Sequence, residues 1–347
     1  PFVTDAIRKR CENEVLGYTG KPDSYYNAII NWVKQRYDLV VAKEMINFVP
    51  GIVPGIGMAM NCFTQKGDKV MIQPPVYHPF AWVTTRNERT LVTNPLKWEN
   101  GMYRMDLDTF REQIKGCKLF ILCNPHNPGG VVWTEAELRA IADICYDEKV
   151  LVFSDEIHAD LTLPPHTHRP FATVSEKARM NSVTFMSPSK AFNMPGLSAS
   201  HALIFNEDLR KRFRIYMDAG ELDMGHVFAF LSVEAAYSHG TEWLDQCLAY
   251  IQGNIDFVDD FLKNHAPKIK AIRPGASYLV WLDCRELKLS QKDLNEFFVD
   301  KAHLALNDGE MFGKEGIGFM RLNVASPRCI IEKAMKQLAD AYQLYIK

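Results

Sequence analysis

Three polar segments of the sequence each follow directly after a run of apolar residues. They are residues 124–130, 154–158 and 187–190, and they supply Asn127, Asp155, His158 and Lys190. If the runs are neighbouring strands of a parallel sheet, the side chains beyond their carboxyl ends converge on one crevice. A lysine amine can bond an aldehyde as an imine, a carboxylate can keep a pyridine nitrogen protonated, and neutral donors can hold a phenolic oxygen. These residue types therefore indicate the chemistry of an aldehyde cofactor with a pyridine ring.

The apolar runs that would position these residues recur between residues 68 and 206. Runs rich in Val, Ile, Leu and Phe occupy residues 69–73, 90–93, 118–123, 150–153, 182–186 and 202–205, a pattern typical of buried strands. Helical segments separate several of them, and Thr134 and Glu137 predict a capping box at the start of the clearest one. The sequence therefore predicts an α/β fold with a mostly parallel central sheet and helices on both faces.

The pattern changes at about residue 230. Long helical stretches follow, then strand signals at residues 277–281 and 318–322, and then an amphipathic helix through Ile331, Met335, Leu338 and Tyr342. We predict a large cofactor-binding domain of residues 16–230. We also predict a smaller α+β domain made of residues 1–15 and 231–347.

The order of four motifs resembles that of fold-type I pyridoxal-phosphate enzymes, the superfamily of class I and II aminotransferases. The motifs are Asn-Pro-x-Asn-Pro, Asp-x-x-His, Ser-x-x-Lys and Arg-x-Asn, at residues 124–128, 155–158, 187–190 and 321–323. Within the superfamily, residues 74–80, 154–160 and 189–193 are similar to the MalY/PatB branch of cystathionine β-lyases, also called C–S lyases. The resemblance extends from Gly17 to the last helix, and it implies pyridoxal 5'-phosphate as the cofactor.

The resemblance implies a role for each matching residue. Lys190 would hold the cofactor as an imine and move the α-proton of an amino-acid substrate, while Asp155 would pair with the pyridine nitrogen. Asn127 and His158 would contact the phenolic oxygen. Arg321 would bind the substrate α-carboxylate through two parallel hydrogen bonds. Two tyrosines complete the set, Tyr77 over the pyridine ring and Tyr18 reaching the phosphate of a neighbouring subunit, which implies a homodimer.

A phosphate site needs free backbone amides at a helix start and small hydroxyls. The Gly-Ile-Gly sequence at residues 55–57 predicts such a loop, with Ile56 and Gly57 as contacts, and Ser187 and Ser189 supply hydroxyls beside Lys190. The third glycine of a dinucleotide fingerprint is absent, which disfavours a nicotinamide dehydrogenase. Many aminotransferases carry a phosphate-binding arginine eight residues after the lysine, where this chain has Ser198. We therefore expect the phosphate to depend on hydroxyls and backbone amides.

Two reactions remain open for this set of residues. The MalY-like motifs favour β-elimination from cystathionine or another cysteine S-conjugate, which yields pyruvate, ammonia and a thiol. The alternative is an aminotransferase that exchanges an amino group between an amino acid and a 2-oxo acid. A regulatory protein on the same fold is a third hypothesis, since MalY-type enzymes can bind a transcriptional regulator, but it would not require the full catalytic set.

Composition limits the partners. Forty basic and forty-two acidic side chains give a formal charge of −2, and without a basic run we expect no nucleic-acid partner. No apolar run approaches the roughly 20 residues that span a bilayer, so we expect no membrane insertion.

Eight widely spaced cysteines without a Cys-x-x-Cys pair favour a reducing cytoplasm over a zinc or disulfide framework. We predict that His166 and His168 lie on a loop surface and bind no metal. The sequence opens at Pro1 without a methionine, and we expect further residues upstream.

Overall fold

The computed structural model describes residues 1–345, which form α-helices and strands in alternation through the first two thirds of the chain. The helices are α1 (Phe2–Cys11), α2 (Asp23–Tyr37), α3 (Ile52–Phe63), α4 (Pro79–Arg86), α5 (Leu107–Gln113), α6 (Glu135–Asp147), α7 (Glu176–Met180), α8 (Glu207–Asp218), α9 (Val227–His239), α10 (Thr241–His265), α11 (Gln291–Glu296) and α12 (Arg328–Tyr345). The strands are β1 (Ile46–Val49), β2 (Lys69–Ile72), β3 (Thr90–Thr93), β4 (Lys97–Glu99), β5 (Met102–Arg104), β6 (Cys117–Cys123), β7 (Leu151–Asp155), β8 (Ser182–Met186), β9 (Ser200–Leu203), β10 (Lys270–Ile272), β11 (Leu279–Asp283), β12 (Asn307–Asp308) and β13 (Phe319–Asn323).

The central sheet has the strand order β1-β9-β8-β7-β6-β2-β3. Strands β8, β7, β6, β2 and β3 pair in parallel, while β9 runs antiparallel to both of its neighbours. The predicted α/β fold with a mostly parallel sheet is therefore confirmed. The sequence did not indicate the reversal at β9, because an apolar run carries no information about strand direction.

Both faces of this sheet are buried, which explains why its strands are nearly continuous apolar runs. On β6, Ile121 packs in a core with α3 and α8, while its neighbours Phe120 and Leu122 pack with α6 on the opposite face. Successive side chains alternate in this way because the strand is pleated. The predicted capping box is present at the start of α6, where the Thr134 hydroxyl accepts from the Glu137 amide at 3.2 Å and the Thr134 amide donates to the Glu137 carboxylate at 2.8 Å.

A second sheet, β10-β11-β13-β12, is antiparallel and lies within the predicted smaller domain. Helices α10 and α12 pack beside it, and Val280 and Leu322 of the sheet join Met335 and Leu338 of α12 in one core. This sheet matters for the site because β13 carries Arg321, which faces Trp281 on one side and Asn307 on the other. Among residues 1–345, no helix is both long and apolar enough to cross a bilayer.

Candidate active site

A cavity of about 550 Å³ lies where the carboxyl ends of β6 and β7 and the turn after β8 meet the second sheet. We call it the central cavity. Most of the predicted site residues line it: Tyr77, Asn127, Asp155, His158, Ser189, Lys190 and Arg321. Four predicted contacts do not line it: Tyr18, Ile56, Gly57 and Ser187.

Asp155 is the last residue of β7, so the strand points its carboxylate into the central cavity. The side chain is only 4% exposed, and its Oδ1 atom accepts a hydrogen bond from the Ile157 amide at 3.1 Å. Burial raises the pKa of Asp155 to about 7, because the charged form is poorly solvated there. A buried carboxylate of this kind is stabilised by a cation within the cavity, and a protonated pyridine nitrogen fits that requirement.

Lys190 lies in the turn that follows β8 and also faces the central cavity. Burial lowers the pKa of Lys190, although the charge of Asp155 opposes the shift. Desolvation of an amine favours its neutral form, which is the form that attacks a carbonyl carbon. The Asp155 carboxyl group and the Lys190 amine therefore face the same cavity from the ends of two adjacent strands, β7 and β8.

Arg321 reaches the central cavity from the second sheet, and two asparagines hold its guanidinium. Nη1 donates to Oδ1 of Asn127 at 2.9 Å, and Nη2 donates to Oδ1 of Asn307 at 2.8 Å. The Arg321 Cζ atom lies 4.6 Å from the centre of the Phe312 ring. Burial lowers the pKa of Arg321 to about 10, and its buried Nε–H has no hydrogen-bond partner among the described residues. A ligand carboxylate would supply the missing acceptor and the missing negative charge.

Asn127 serves two sides of the cavity at once. Since its Oδ1 atom accepts from Arg321, its amide nitrogen remains as a donor toward a ligand oxygen. His158 provides a second neutral donor, because burial lowers the pKa of its imidazole to about 3. Its Nδ1 atom is buried and has no partner within residues 1–345. Both residues fit the predicted contact with a phenolic oxygen.

Tyr77 lies just before α4 and lines the central cavity, with the Phe80 ring edge-on at 5.7 Å between ring centres. Burial raises the pKa of Tyr77, and the charge of Asp155 raises it further. The tyrosine therefore presents a neutral aromatic side chain to the same space as the Asp155 carboxylate. Stacking of its ring on the cofactor ring remains a prediction.

The predicted phosphate loop at residues 55–57 is wrong in position, because α3 begins at Ile52 rather than after Gly57. Ile56 is fully buried, and the Gly55 amide donates to the Gly51 carbonyl at 3.0 Å as part of the helix. The backbone amides of Ile56 and Gly57 lie beyond the first turn and donate to carbonyls within the helix, so they cannot bind an anion. The free amides at the start of α3 belong to Ile52 and Val53, which line the central cavity, since the Gly51 amide donates to the Val49 carbonyl at 2.9 Å.

The sequence contained a signal for the earlier start of α3. Pro54 has no amide hydrogen and is favoured in the first turn of a helix, and Gly51 before it adopts a φ of +113°, a conformation that glycine tolerates. Gly55 has a packing role, since a Cβ there would lie 2.9 Å from Val49 Cγ2 and 3.2 Å from Phe185 Cε1. The glycine lets α3 approach the sheet.

Ser187 is a second correction. Its hydroxyl lies 2.8 Å from the Ala199 carbonyl and accepts the Ser189 amide at 3.1 Å, so its hydrogen bonds are made within the protein. It supports the loop and does not line the central cavity. Ser189 lines the cavity as predicted, together with Ser198 and Ser200, which were not predicted as contacts.

The structure adds contacts that the motifs did not indicate. His78, Tyr278 and Asn307 line the central cavity, and they come from three segments that are distant in the sequence. Tyr18 is 97% exposed and lies outside the central cavity of its own chain.

His168 was predicted on a loop surface, and that is wrong, although His166 is exposed. The His168 imidazole is buried and lies 2.7 Å from the Glu156 carboxylate. Glu156 also accepts from the Ser154 hydroxyl at 2.8 Å and from the Phe171 amide at 2.8 Å. Glu156 follows Asp155 directly, so this buried pair supports the strand end that carries the catalytic candidate. The sequence did not indicate the pair of His168 and Glu156, because the two residues lie 12 positions apart and match no local motif.

Comparison with known proteins places these features in context. The family model described as aminotransferase class I and II matches residues 4–338. The cystathionine β-lyase PatB of Bacillus subtilis is 37% identical over 341 residues, which cover 98% of this chain and 88% of PatB. Among solved structures, cystalysin from Treponema denticola, which contains pyridoxal 5'-phosphate, is 34% identical with a TM-score of 0.97 over 100% of this chain and 88% of its own. The pyridoxal-phosphate-bound C–S lyase from Staphylococcus hominis is 33% identical with a TM-score of 0.91 over 98% of this chain and 89% of its own.

Proposed function

The chain belongs to the family of class I and II aminotransferases, and within it we infer that the protein is a pyridoxal-phosphate-dependent C–S β-lyase. It cleaves cystathionine or related cysteine S-conjugates to pyruvate, ammonia and a thiol. The observation that carries this function is the meeting of Lys190, Asp155 and Arg321 at one cavity. The similarity to C–S lyases supports elimination over the alternative of transamination. The predicted family, branch and cofactor are confirmed.

Pyridoxal phosphate, when bound, supplies an aldehyde carbon that bonds amines and a ring that withdraws electrons from the bound amino acid. Lys190 lines the central cavity and would hold the cofactor through this carbon, and its amine would accept the α-proton of the substrate. The buried carboxylate of Asp155 would keep the ring nitrogen protonated. Asn127 and His158 would hold the phenolic oxygen, and Arg321 would hold the substrate carboxylate.

Elimination and transamination diverge after the α-proton has left. In the lyase, the Cβ–S bond breaks, the sulfur leaves as a thiolate and takes up a proton, and water completes the release of pyruvate and ammonia. In an aminotransferase, Lys190 would instead deliver the proton to the cofactor carbon, and a 2-oxo acid would leave. The residues of this chain that orient the substrate, Arg321 and its partners Asn127 and Asn307, serve both outcomes.

The phosphate-binding part of the proposal rests on backbone and hydroxyl groups. Ile52 and Val53 begin the twelve-residue helix α3, and both line the central cavity. A helix start attracts an anion because its first amides are unpaired and its dipole is positive there. The hydroxyls of Ser189, Ser198 and Ser200 lie around the same cavity. This set replaces the arginine that is missing at position 198.

We also propose a homodimer in which Tyr18 reaches the phosphate of the neighbouring subunit. The segment around it supports this, since Val15, Leu16 and Tyr18 expose 71%, 64% and 97% of their surface. Apolar residues exposed together in this way are typical of a surface that another chain covers.

We also propose the division into a large domain of residues 16–230 and a small domain of residues 1–15 and 231–347. Each of these domains contains one of the two larger sheets. A cytoplasmic location is supported by the eight cysteines, which are all free thiols.

An assay of product release tests the function. The purified protein with its cofactor is expected to release pyruvate and a thiol from L-cystathionine without any added 2-oxo acid. The matched reaction contains a 2-oxo acid and is expected to release pyruvate at the same rate. If product appears only when the 2-oxo acid is present, the protein is an aminotransferase and the lyase proposal fails.

A further inference from the structure

The turn that carries Asp155 and His158 into the central cavity contains two further acidic residues, Glu156 and Asp160. Both carboxylates are buried, and neither residue lines the central cavity. The proposed reaction uses neither of them. A buried carboxylate is costly unless it is paired or hydrogen-bonded, so the partners of these two residues show what they hold together.

Glu156 joins the end of β7 to a loop that lies further along the chain. Its Oε1 atom accepts the Ser154 hydroxyl and the Phe171 amide, each at 2.8 Å. Its Oε2 atom lies 2.7 Å from Nε2 of the buried His168. Both carboxylate oxygens therefore have partners, and the side chain that directly follows Asp155 is held in one position.

The backbone of Glu156 is bonded on both sides of the residue. Its amide donates to the Phe185 carbonyl of β8 at 2.9 Å, and its carbonyl accepts the Ala159 amide at 2.9 Å. The second bond closes the turn that contains His158. Glu156 is therefore fixed between the two residues, Asp155 and His158, that face the central cavity.

Asp160 attaches the far end of the same turn to α2. Its Oδ1 atom accepts the Trp32 indole N–H at 2.9 Å and also the Tyr37 hydroxyl. The Tyr37 ring packs edge-on against the His168 ring, with 5.5 Å between the ring centres. The partners of Asp160 and of Glu156 are therefore neighbours, and one connected group of side chains supports the whole turn.

The charge of Glu156 acts on the same residue that its hydrogen bonds support. Burial raises the pKa of Asp155 most, and the charge of Glu156 raises it further, while the charge of Lys190 opposes the shift. A negative charge held behind Asp155 favours cations in the central cavity. The other titratable groups that face Asp155 or Lys190 in the central cavity are Tyr77, Cys123, His158 and Arg321.

We propose that Glu156, held by His168, is a positioning residue for the reaction: it fixes the strand end that carries Asp155 and places a negative charge behind it. This inference rests on the proposed function, because the effect is exerted on the bound cofactor. Glu156 does not line the central cavity, so it acts through Asp155 and not by contact with the substrate. Its charge favours the protonated form of the imine at Lys190 over the neutral form.

Substitutions at the two ends of one contact test this role, because only one of them removes the carboxylate. The visible absorbance of the holoenzyme is titrated with pH, and its midpoint reports protonation of the imine. Glu156→Gln is expected to lower the midpoint by about 0.5–1 pH unit, since the protonated imine loses a nearby negative charge. His168→Gln keeps the carboxylate and is expected to leave the midpoint unchanged or to raise it. The double variant, in which two amides can bond each other, is expected to have a lower midpoint than His168→Gln alone.

The matched control is Asp259→Asn, which removes another buried carboxylate with basic partners. Asp259 lies 2.8 Å from Lys263 and 3.2 Å from Arg273 and does not line the central cavity. The control is expected to lower stability in urea without moving the midpoint. If Glu156→Gln leaves the midpoint unchanged, or if Glu156→Gln and His168→Gln lower it alike, the pair has only a structural role and the proposal fails. A wild-type holoenzyme that shows the expected titrations but releases no pyruvate from cystathionine would instead overturn the proposed lyase function and leave the role of Glu156 supported.

Discussion

The two sides of the central cavity are built from different parts of the chain. The side that would face the cofactor ring consists of side chains at strand ends, with Asp155 completing β7 and Lys190 in the turn after β8. The side that would face the phosphate consists largely of the backbone amides of Ile52 and Val53, at the start of α3. One side depends on which residues are present. The other depends on where a helix begins.

This difference explains how each side responds to substitution. A side chain at a strand end can be removed without moving the backbone, so its loss is expected to affect chemistry more than folding. Backbone amides persist through most substitutions, so changes near the start of α3 are expected to act through packing. Substitutions on the two sides test this contrast, beginning with the largest expected effect.

Replacement of Lys190 by alanine is expected to abolish turnover of cystathionine, with a loss of at least about a thousandfold, because covalent attachment and proton transfer both need this amine. The fold should persist, since Lys190 is only half-buried and makes no hydrogen bond among the described residues. The measurements are pyruvate release and mass spectrometry after borohydride reduction, which should attach the cofactor to residue 190 in the wild type alone. Lys115→Ala, at an exposed lysine on another part of the surface, serves as the control. Turnover that survives in Lys190→Ala would contradict the assignment.

Asp155→Asn is expected to separate activity from stability. Burial raises the pKa of Asp155 from its ordinary value of 3.8 to about 7 in the folded, cofactor-free protein, so the folded state holds the proton more tightly than the unfolded chain. The carboxylate therefore costs stability progressively as the pH rises from about 4 to 7, and fully above 7. Since the side chain is buried, the cost is about 2–4 kcal/mol. Turnover of the variant is expected to fall about a hundredfold, since an amide does not keep the ring nitrogen protonated.

Urea unfolding of the cofactor-free proteins checks the stability part of this expectation. At pH 8 the Asp155→Asn variant should be more stable than wild type, and near pH 4 the difference should vanish. Added cofactor should stabilise the wild type more than the variant, because only the wild type offers a carboxylate to the ring nitrogen. A variant that is less stable than wild type at pH 8 would show that the Asp155 carboxylate is already well compensated without the cofactor.

The side of the central cavity that would face the cofactor ring could be predicted from the sequence, because its residues follow apolar strands in a recognisable order. Lys190, Asp155, Asn127 and Arg321 all line the central cavity, as the motifs indicated. The start of α3 was misplaced by six residues, at residue 58 instead of Ile52, since glycines that allow close packing resemble glycines that bind anions. The bond between Asn307 and Arg321 was missed, because a contact across two paired strands depends on their register. The same limitation hid the contact of His78 with Phe312.

The smallest expected effects concern the two glycines of α3. Gly55→Ala would place a Cβ 2.9 Å from Val49 Cγ2, against two buried strands that cannot move easily, and should cost about 1–3 kcal/mol of unfolding free energy. Gly57→Ala would meet Val83 Cγ2 at 3.3 Å on the neighbouring helix, and alanine is favoured over glycine inside a helix by about 0.5–1 kcal/mol, so the change should be nearly neutral. Urea unfolding measures both, and cofactor titration by fluorescence should give an unchanged dissociation constant for Gly57→Ala. A tenfold weaker cofactor affinity in Gly57→Ala without loss of stability would return the phosphate site to residues 55–57, because only a direct contact there could weaken binding while the helix stays intact.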